Sequence, residues 1–250
     1  MTFKVVIPAR RASTRLPDKL LRELAGRPLL AHVCARARAS RADQVVVATD
    51  DAELAAVATA AGVQAAMTRA DHSCGTDRIA QAAADLGWPD DTIVVNVQGD
   101  EPLMPARLID QVAAAVAESD TAALATACST IADVAAFHDP NNVKVVCDRA
   151  GHALYFSRAP IPYHRASANQ TLPAAVYQHI GIYAYRVGAL QRFAAAAPSL
   201  LEQSESLEQL RAFDLGLRIR VVQAQTAPGP GVDTEADLRV VARLLEKLGG

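Results

Sequence analysis

The residues of this chain that are best suited to chemistry form two short segments, and each follows an apolar, strand-like run. The first, IPARRASTRLPDK at residues 7–19, contains four cations but a single acid, Asp18. Arg10 and Arg15 could offer guanidinium forks to phosphate oxygens, and Lys19 could offer an ammonium group. This composition favours an anion-binding loop, although a merely solvated basic loop remains the alternative.

Small residues in the same segment support anion binding. Ala9, Ala12 and Ser13 would let backbone N–H groups approach a phosphate closely. The segment matches neither G-x-x-x-x-G-K-[ST] nor G-x-G-x-x-G, so it is neither a P-loop nor a dinucleotide fingerprint.

The second segment, TIVVNVQGDEP at residues 92–102, places Gln98, Asp100 and Glu101 at the end of a buried strand. A carboxylate there can give a hard oxygen ligand to Mg²⁺ while substrate phosphates supply others. A plain Gly-Asp-Glu-Pro turn is an equally good alternative.

A further acid, Asp233 in GPGVDTEAD, precedes a predicted helix and could be a second metal ligand. Thr234 and Asp237 have the spacing of a helix capping box, so Asp233 could instead simply flank the start of a helix. The residues alone leave both alternatives open.

Charged residues near other predicted element ends are the remaining candidates. Asp50 and Glu53 have the spacing of a helix-capping pair, and we expect capping there. Arg78 falls in the first turn of a predicted helix, where a cation is usually disfavoured, so it indicates a ligand or an acidic partner. His179 lies on a predicted strand, where a structural role is the more common one.

The overall composition excludes several classes of function. The 250 residues include 25 basic and 27 acidic side chains, so no general attraction to nucleic acids or membrane surfaces is expected. No apolar run approaches the roughly 18 residues of a membrane span. The four cysteines lack zinc-site spacing, which predicts reduced thiols in a cytoplasmic protein.

The elements that must position these residues alternate between short β-branched runs and Ala- and Leu-rich stretches of helical period. This pattern predicts a parallel sheet with crossover helices. We predict strands over Phe3–Pro8, Gln44–Thr49, Val63–Thr68 and Thr92–Val97. We predict helices over residues 29–39, 51–62, 76–87 and 106–119. Ligands of open α/β sheets bind beyond the carboxyl ends of the strands, where both chemical segments begin.

The second half of the chain changes character. Residues 143–162 predict an antiparallel hairpin that turns at residues 148–151, and His164–Ala174 is the best loop candidate. Further predicted elements are a strand at 177–186, a helix at 206–216, a strand at 218–225 and a helix at 234–248. The simplest architecture is one α/β domain over residues 1–250, with a Rossmann-like, mostly parallel sheet flanked by helices and the inserted hairpin.

Cations after one strand and acids after another together describe a site for a nucleoside triphosphate and Mg²⁺. Such a site fits nucleotidyl transfer, in which the protein mainly aligns the reactants and neutralises charge.

Eight motifs resemble, in order along the chain, the signature blocks of the 3-deoxy-manno-octulosonate cytidylyltransferase family, the CMP-Kdo synthetases. They are IPARRASTRLPDK, MTRADHSCGTDR, VNVQGDEP, NNVKVV, ALYFSRAPIPY, HIGIYAYR, LEQLR and GVDTEADL. The resemblance covers nearly the whole chain and implies a fold of the nucleotide-diphospho-sugar transferase type.

The resemblance also implies the reaction, which is transfer of CMP from CTP to the C2 hydroxyl of 3-deoxy-D-manno-octulosonate (Kdo), with release of pyrophosphate. It implies a homodimer that uses Mg²⁺ and serves lipopolysaccharide biosynthesis, in addition to the cytoplasmic location expected from the composition. The implied catalytic residues are Arg15, Lys19 and Asp100, and the implied metal ligands are Asp100 and Asp233. The implied nucleotide-binding residues are Pro8, Ala9, Arg10, Arg15, Lys19, Gly75, Thr76, Arg78 and Gln98. The implied sugar-binding residues are Gln98, Arg158, His179, Tyr183 and Glu208.

Two alternatives and one departure accompany this resemblance. CMP-sialic acid synthetase shares the arginine-rich first loop, but HIGIYAYR and LEQLR favour Kdo. A non-catalytic nucleotide-binding protein on the same scaffold is the alternative from another class, and the presence of both Asp100 and Asp233 argues against it. Arg11 stands where the family usually has a tyrosine, so its role remains open.

Overall fold

The computed structural model describes residues 1–12 and 15–249, so Ser13 of the predicted phosphate-binding loop lies outside the described residues. The strands are β1 Lys4–Ala9, β2 Glu23–Leu24, β3 Arg27–Pro28, β4 Gln44–Thr49, β5 Gln64–Met67, β6 Ile93–Asn96, β7 Ala122–Thr130, β8 Lys144–Cys147, β9 Ala153–Ser157, β10 Tyr177–Arg186 and β11 Arg218–Gln223. The α-helices are α1 Leu29–Arg38, α2 Ala52–Ala60, α3 Gly75–Asp85, α4 Ala106–Ala117, α5 Val134–His138, α6 Val187–Ala195, α7 Leu200–Glu205, α8 Arg211–Asp214 and α9 Glu235–Gly249. Within the described ranges, no helix is long and apolar enough to cross a membrane.

The central sheet follows the order β11-β7-β10-β6-β1-β4-β5. β1 pairs in parallel with both β4 and β6, and β4 pairs in parallel with β5. β10 is inserted antiparallel between β6 and β7. The predicted fold class, a mostly parallel sheet flanked by helices, is therefore confirmed.

The centre of the sheet is buried on both faces, which is why β1 and β6 consist of nearly continuous apolar runs. In β1, Val5 and Ile7 belong to the core that also contains Leu30 of α1. Val6 belongs to the core on the opposite face, together with Ile79 of α3. Packing on both faces fixes β1 and therefore fixes the carboxyl end at which the first chemical segment begins.

The inserted hairpin consists of β8 and β9, which pair antiparallel. It turns where the sequence predicts, because the N–H of Gly151 donates to the carbonyl oxygen of Asp148 at 3.0 Å. Gly151 has a φ of 77°, a left-handed conformation that costs glycine little. β8 also pairs with β10, so the hairpin extends the main sheet.

The start of α2 differs from the prediction. Asp51 caps this helix, because its Oδ1 accepts the N–H groups of Glu53 and Leu54 at 2.9 and 3.0 Å. The expected capping role of Asp50 is therefore wrong. Its carboxylate instead lies 3.1 Å from the guanidinium of Arg78, an acidic partner of the kind that the position of Arg78 indicated.

The helix predicted over residues 206–216 is broken. Ser206 has a φ of 53°, Glu208–Leu210 form a 3₁₀ turn, and the α-helical part is limited to α8.

Sequence periodicity also failed to predict β7, since its segment AALATACST is rich in alanine, which is depleted in strands.

Candidate active site

The carboxyl ends of β1 and β6 open onto one cleft, as expected for neighbouring parallel strands. The first turn of α3 and the segment before α9 complete its walls. The cleft has a volume of about 280 Å³. The predicted site residues that line it are Pro8, Ala9, Arg10, Arg15, Lys19, Gly75, Arg78, Gln98, Asp100 and Asp233.

Lys19 connects the two acids of the cleft. Its Nζ donates to Asp100 Oδ2 at 2.7 Å and to Asp233 Oδ1 at 3.1 Å. Arg15 contacts the same oxygen of Asp233 at 3.1 Å. Burial disfavours the ammonium, but the charges and hydrogen bonds of Asp100 and Asp233 outweigh burial and raise the pKa of Lys19. Lys19 is therefore held as a cation between two carboxylates.

The structure separates Asp233 from the capping box beside it. The N–H of Thr234 donates to Asp237 Oδ2 at 2.8 Å, and the N–H of Asp237 donates to Thr234 Oγ1 at 3.3 Å. The carboxylate of Asp233 takes no part in this box and faces Lys19 and Arg15. Thr234 and Asp237 thus form the capping box, and the carboxylate of Asp233 faces the cleft.

Asp100 and Asp233 have the donor chemistry that suits Mg²⁺. Both are carboxylates, and both already contact a single ammonium group, so the two can share one cation. In the part of the chain that the structure describes, no three His, Cys, Asp or Glu side chains form a metal-binding group. Two carboxylates would leave the other ligand positions to water and substrate phosphates, which is the common arrangement for Mg²⁺.

Glu101 is a third acid next to this pair. Its burial and the charges of Asp100 and Asp233 raise the pKa of Glu101 to about 7, although Lys19 opposes the shift. A carboxyl group that is partly protonated at neutral pH adds less negative charge to the cleft than Asp100 or Asp233.

The first turn of α3 forms a closely packed wall. A Cβ atom on Gly75 would lie 3.2 Å from Pro8 Cγ, so only glycine fits here without displacing Pro8. Arg78 lines the cleft although its side chain is only 4% exposed. Thr76, the remaining residue of the predicted nucleotide set, is buried and donates its hydroxyl to Glu208 Oε2 at 3.1 Å.

Cys74 lines the cleft and was missed by sequence reasoning. Its Sγ accepts the N–H of Asp77 at 3.4 Å as the cap of α3, and its thiol donates to Glu208 Oε1 at 3.2 Å. Burial and the charge of Glu208 raise the pKa of this thiol to about 12, so it remains protonated. The Cys-x-x-Asp spacing at the start of a helix is the signal that could have identified it.

The predicted sugar residues lie on several elements. Gln98 lines the cleft, and Glu208 touches its wall through the first turn of α3. His179 and Tyr183 lie on β10 with their ring centroids 5.3 Å apart. His179 Nε2 is 2.8 Å from Thr126 Oγ1. Their assignment to the sugar remains a prediction.

Arg158 does not line the cleft. Its Nε donates to the carbonyl oxygen of Glu205 at 2.8 Å, and its Nη1 donates to that of Pro140 at 3.0 Å. Its own carbonyl oxygen accepts a hydrogen bond from the fully buried Lys144 at 2.6 Å. Backbone contacts thus fix Arg158 at the end of β9, and its role toward a sugar carboxylate remains a prediction.

The structure gives Arg11 a role that sequence analysis left open. Its guanidinium donates to Asp18 Oδ1 and to Glu53 Oε2, both at 2.8 Å. The hydrogen bond and charge of Asp18 raise the pKa of Arg11. Arg11 therefore connects the first loop to α2 through its ion pairs with Asp18 and Glu53.

Burial of His179 predicts a specific pH dependence of stability. Burial lowers its pKa to about 3, whereas an unfolded chain protonates histidine near pH 6.5. Between these values the unfolded state binds the additional proton, so the free energy of unfolding falls as the pH falls. We expect His179→Gln to remove up to about 1.4 kcal/mol per pH unit of this slope. Urea unfolding across the acid range checks this, and equal slopes in both proteins would contradict it.

Comparisons with known proteins agree with this fold. A family model described as cytidylyltransferase matches residues 4–219, and the chain therefore belongs to the cytidylyltransferase family. Within that family, a 3-deoxy-manno-octulosonate cytidylyltransferase of Thioalkalivibrio sulfidiphilus (strain HL-EbGR7) is 51% identical over 248 residues. This alignment covers 98% of the chain and 99% of the relative, and it confirms the resemblance to the CMP-Kdo synthetases.

Comparison with solved structures supports the same fold. A structure of CMP:2-keto-3-deoxy-manno-octonic acid synthetase complexed with CTP is 40% identical to this chain, with a TM-score of 0.91 and 99% of both chains covered. A 4-diphosphocytidyl-2C-methyl-D-erythritol synthase is 14% identical, with a TM-score of 0.64 and 98% of both chains covered. The second likeness supports the fold alone.

Proposed function

We propose that this chain transfers CMP from CTP to the C2 hydroxyl of Kdo, giving CMP-Kdo and pyrophosphate. The observation that carries the proposal is the position of Lys19 between Asp100 and Asp233, in a cleft that Arg10 and Arg15 also line. The relative named 3-deoxy-manno-octulosonate cytidylyltransferase and the synthetase structure complexed with CTP support the choice of substrates.

The cations of the first loop would bind the triphosphate of CTP. Negative charge builds up on the pyrophosphate as the bond to the α-phosphate breaks. Arg10, Arg15 and Lys19 would stabilise that charge from positions that are set before the reaction, so little reorganisation is needed. Pro8 and Gly75, which pack tightly against each other, would lie nearer the nucleoside.

Asp100 and Asp233 would hold the Mg²⁺ ion. When bound, the ion would supply Lewis acidity toward the α-phosphate and would lower the pKa of the sugar hydroxyl. On ligand binding, Lys19 and Arg15 would exchange these carboxylates for phosphate oxygens, which would leave both acids free for the cation.

Kdo would bind next to the cleft wall formed by α3. Gln98, His179, Tyr183 and Glu208 supply the donors and acceptors that a polyhydroxyl ligand needs. Arg158 is proposed to pair with the sugar carboxylate in the bidentate geometry that guanidinium groups favour.

We also propose a cytoplasmic homodimer that serves lipopolysaccharide biosynthesis. The hairpin region at residues 143–162 is the proposed contact surface between subunits. Leu154 on β9 is 61% exposed, which supports a contact there because large apolar side chains are stabilised by burial.

A coupled assay of pyrophosphate release, with CTP and either Kdo or a sialic acid, tests the proposal. We expect Mg²⁺-dependent release with Kdo. Turnover with sialic acid alone would identify the alternative synthetase activity. No release with either sugar would favour a non-catalytic nucleotide-binding protein.

A further inference from the structure

We propose that Asp50 is a positioning residue, which holds Arg78 so that the guanidinium of Arg78 selects the base of the bound nucleotide. Arg78 lines the cleft, whereas Asp50 lies behind it at the end of β4. The inference rests on the proposed function, because it concerns the CTP that the cleft would bind.

The location of Arg78 requires a compensating partner. The side chain is 4% exposed and belongs to the first turn of α3, where the helix dipole disfavours a cation. Asp50 Oδ1 lies 3.1 Å from Nη1 of Arg78, and the same Nη1 donates to Thr68 Oγ1 at 2.5 Å. Asp50 and Thr68 therefore both hold the Nη1 group of the Arg78 guanidinium in place.

Among the described residues, Asp50 has no other evident structural role. Asp51 caps α2, so Asp50 is not needed there. Asp50 Oδ1 is buried and accepts no hydrogen bond from the part of the chain that the structure describes. The Asp50 side chain is 22% exposed as a whole, but a buried charged oxygen is costly unless it is paired, and the ionic contact of Oδ1 is with Arg78.

The other donors of Arg78 remain available to a ligand. Its Nε and Nη2 atoms make no hydrogen bond to residues 1–12 or 15–249, and neither is among the side-chain atoms that are buried without a partner. Arg78 lines the cleft, and the proposal assigns these two free donors to the ligand side of the guanidinium. The N–H groups of Nε and Nη2 form a rigid, parallel pair of donors.

The charge of Asp50 makes Arg78 better suited to a neutral base than to a phosphate. Asp50 offsets the charge of the buried guanidinium, whereas Arg15, which is 66% exposed, is available to phosphates at the first loop. Cytosine presents its O2 and N3 atoms as two adjacent acceptors, which match a parallel pair of donors. Uracil carries an N–H group at N3, so one donor would face another and that hydrogen bond would be lost.

The matched variants Asp50→Asn and Asp51→Asn test the inference. We expect D50N to raise the KM for CTP about tenfold and to reduce the preference for CTP over UTP about tenfold or more, because a site that loses an oriented donor loses discrimination. We expect kcat and the KM for Kdo to change little. D51N, in which asparagine can still cap α2, should retain the wild-type KM and nucleotide preference.

A double-mutant cycle shows whether the effect acts through Arg78. We expect D50N to add nothing to the loss of nucleotide preference in Arg78→Met, because the two residues would act as one unit. Asp50→Glu, which keeps the charge but moves the carboxylate, is the second variant if D50N does not fold. D50E should reduce the preference by a smaller factor.

Calorimetric titration of the wild type and each folded variant with CTP and with UTP separates the two proposals. If the wild type prefers CTP and D50N keeps that preference unchanged, the inference about Asp50 is overturned while the proposed function stands. A wild-type protein that binds neither nucleotide would overturn the proposed function and this inference together.

Discussion

Asp100→Asn should lower kcat by about three orders of magnitude, because metal assistance is worth several kcal/mol of transition-state stabilisation and each tenfold in rate corresponds to ~1.4 kcal/mol. The substitution keeps the size of the side chain but removes the charge that Lys19 contacts at 2.7 Å and that Mg²⁺ would require. The fold should remain intact, because loss of this charge relieves the repulsion between Asp100 and the half-buried Glu101.

Steady-state kinetics and thermal unfolding of D100N check this prediction. Asp71→Asn is the matched control, because Asp71 is 74% exposed and pairs only with the exposed Arg69 among the described residues. The control should retain wild-type turnover. Near-normal turnover of D100N would exclude Asp100 as a metal ligand.

Lys19→Met should slow turnover by about 10²- to 10³-fold, the usual effect of removing one fixed charge-stabilising group. It should also strengthen metal binding by the nucleotide-free protein. Lys19 touches both proposed metal ligands, so in the free protein its ammonium group competes with a divalent cation for them. Methionine has a similar length but no charge, and it removes that competition.

Electron paramagnetic resonance with Mn²⁺ in place of Mg²⁺ measures the second effect without any turnover. Arg22→Met is the control, because Arg22 forms an exposed ion pair with Glu235 outside the cleft. We expect tighter Mn²⁺ binding in K19M and wild-type binding in R22M. Weaker Mn²⁺ binding in K19M would show that Lys19 does not compete with the metal.

The position of the site could be predicted from sequence because parallel strands converge at one edge. Lys19 follows β1 and Asp100 follows β6, and the pairing of these strands brings the two side chains within 2.7 Å across 81 residues of chain. The apolar runs that predicted these strands are local signals, and they are strong because the centre of the sheet is buried on both faces.

The sequence could not predict which of two similar side chains makes a given long-range contact. Asp50 and Asp51 are adjacent acids of the same type, and sequence alone selected the wrong one as the cap of α2. The difference arises from Arg78, whose buried charge requires the carboxylate of Asp50 and whose position depends on the packing of α3. The link from Cys74 to Glu208 likewise spans 134 residues and follows no periodic pattern.

The most direct test of the proposed reaction is ³¹P nuclear magnetic resonance of the protein incubated with CTP, Kdo and Mg²⁺. We expect a new phosphodiester signal from CMP-Kdo and a pyrophosphate signal that grow in equal amounts, and we expect neither when Kdo is omitted. Pyrophosphate without the phosphodiester, or an unchanged CTP spectrum, would contradict transfer of CMP to the sugar.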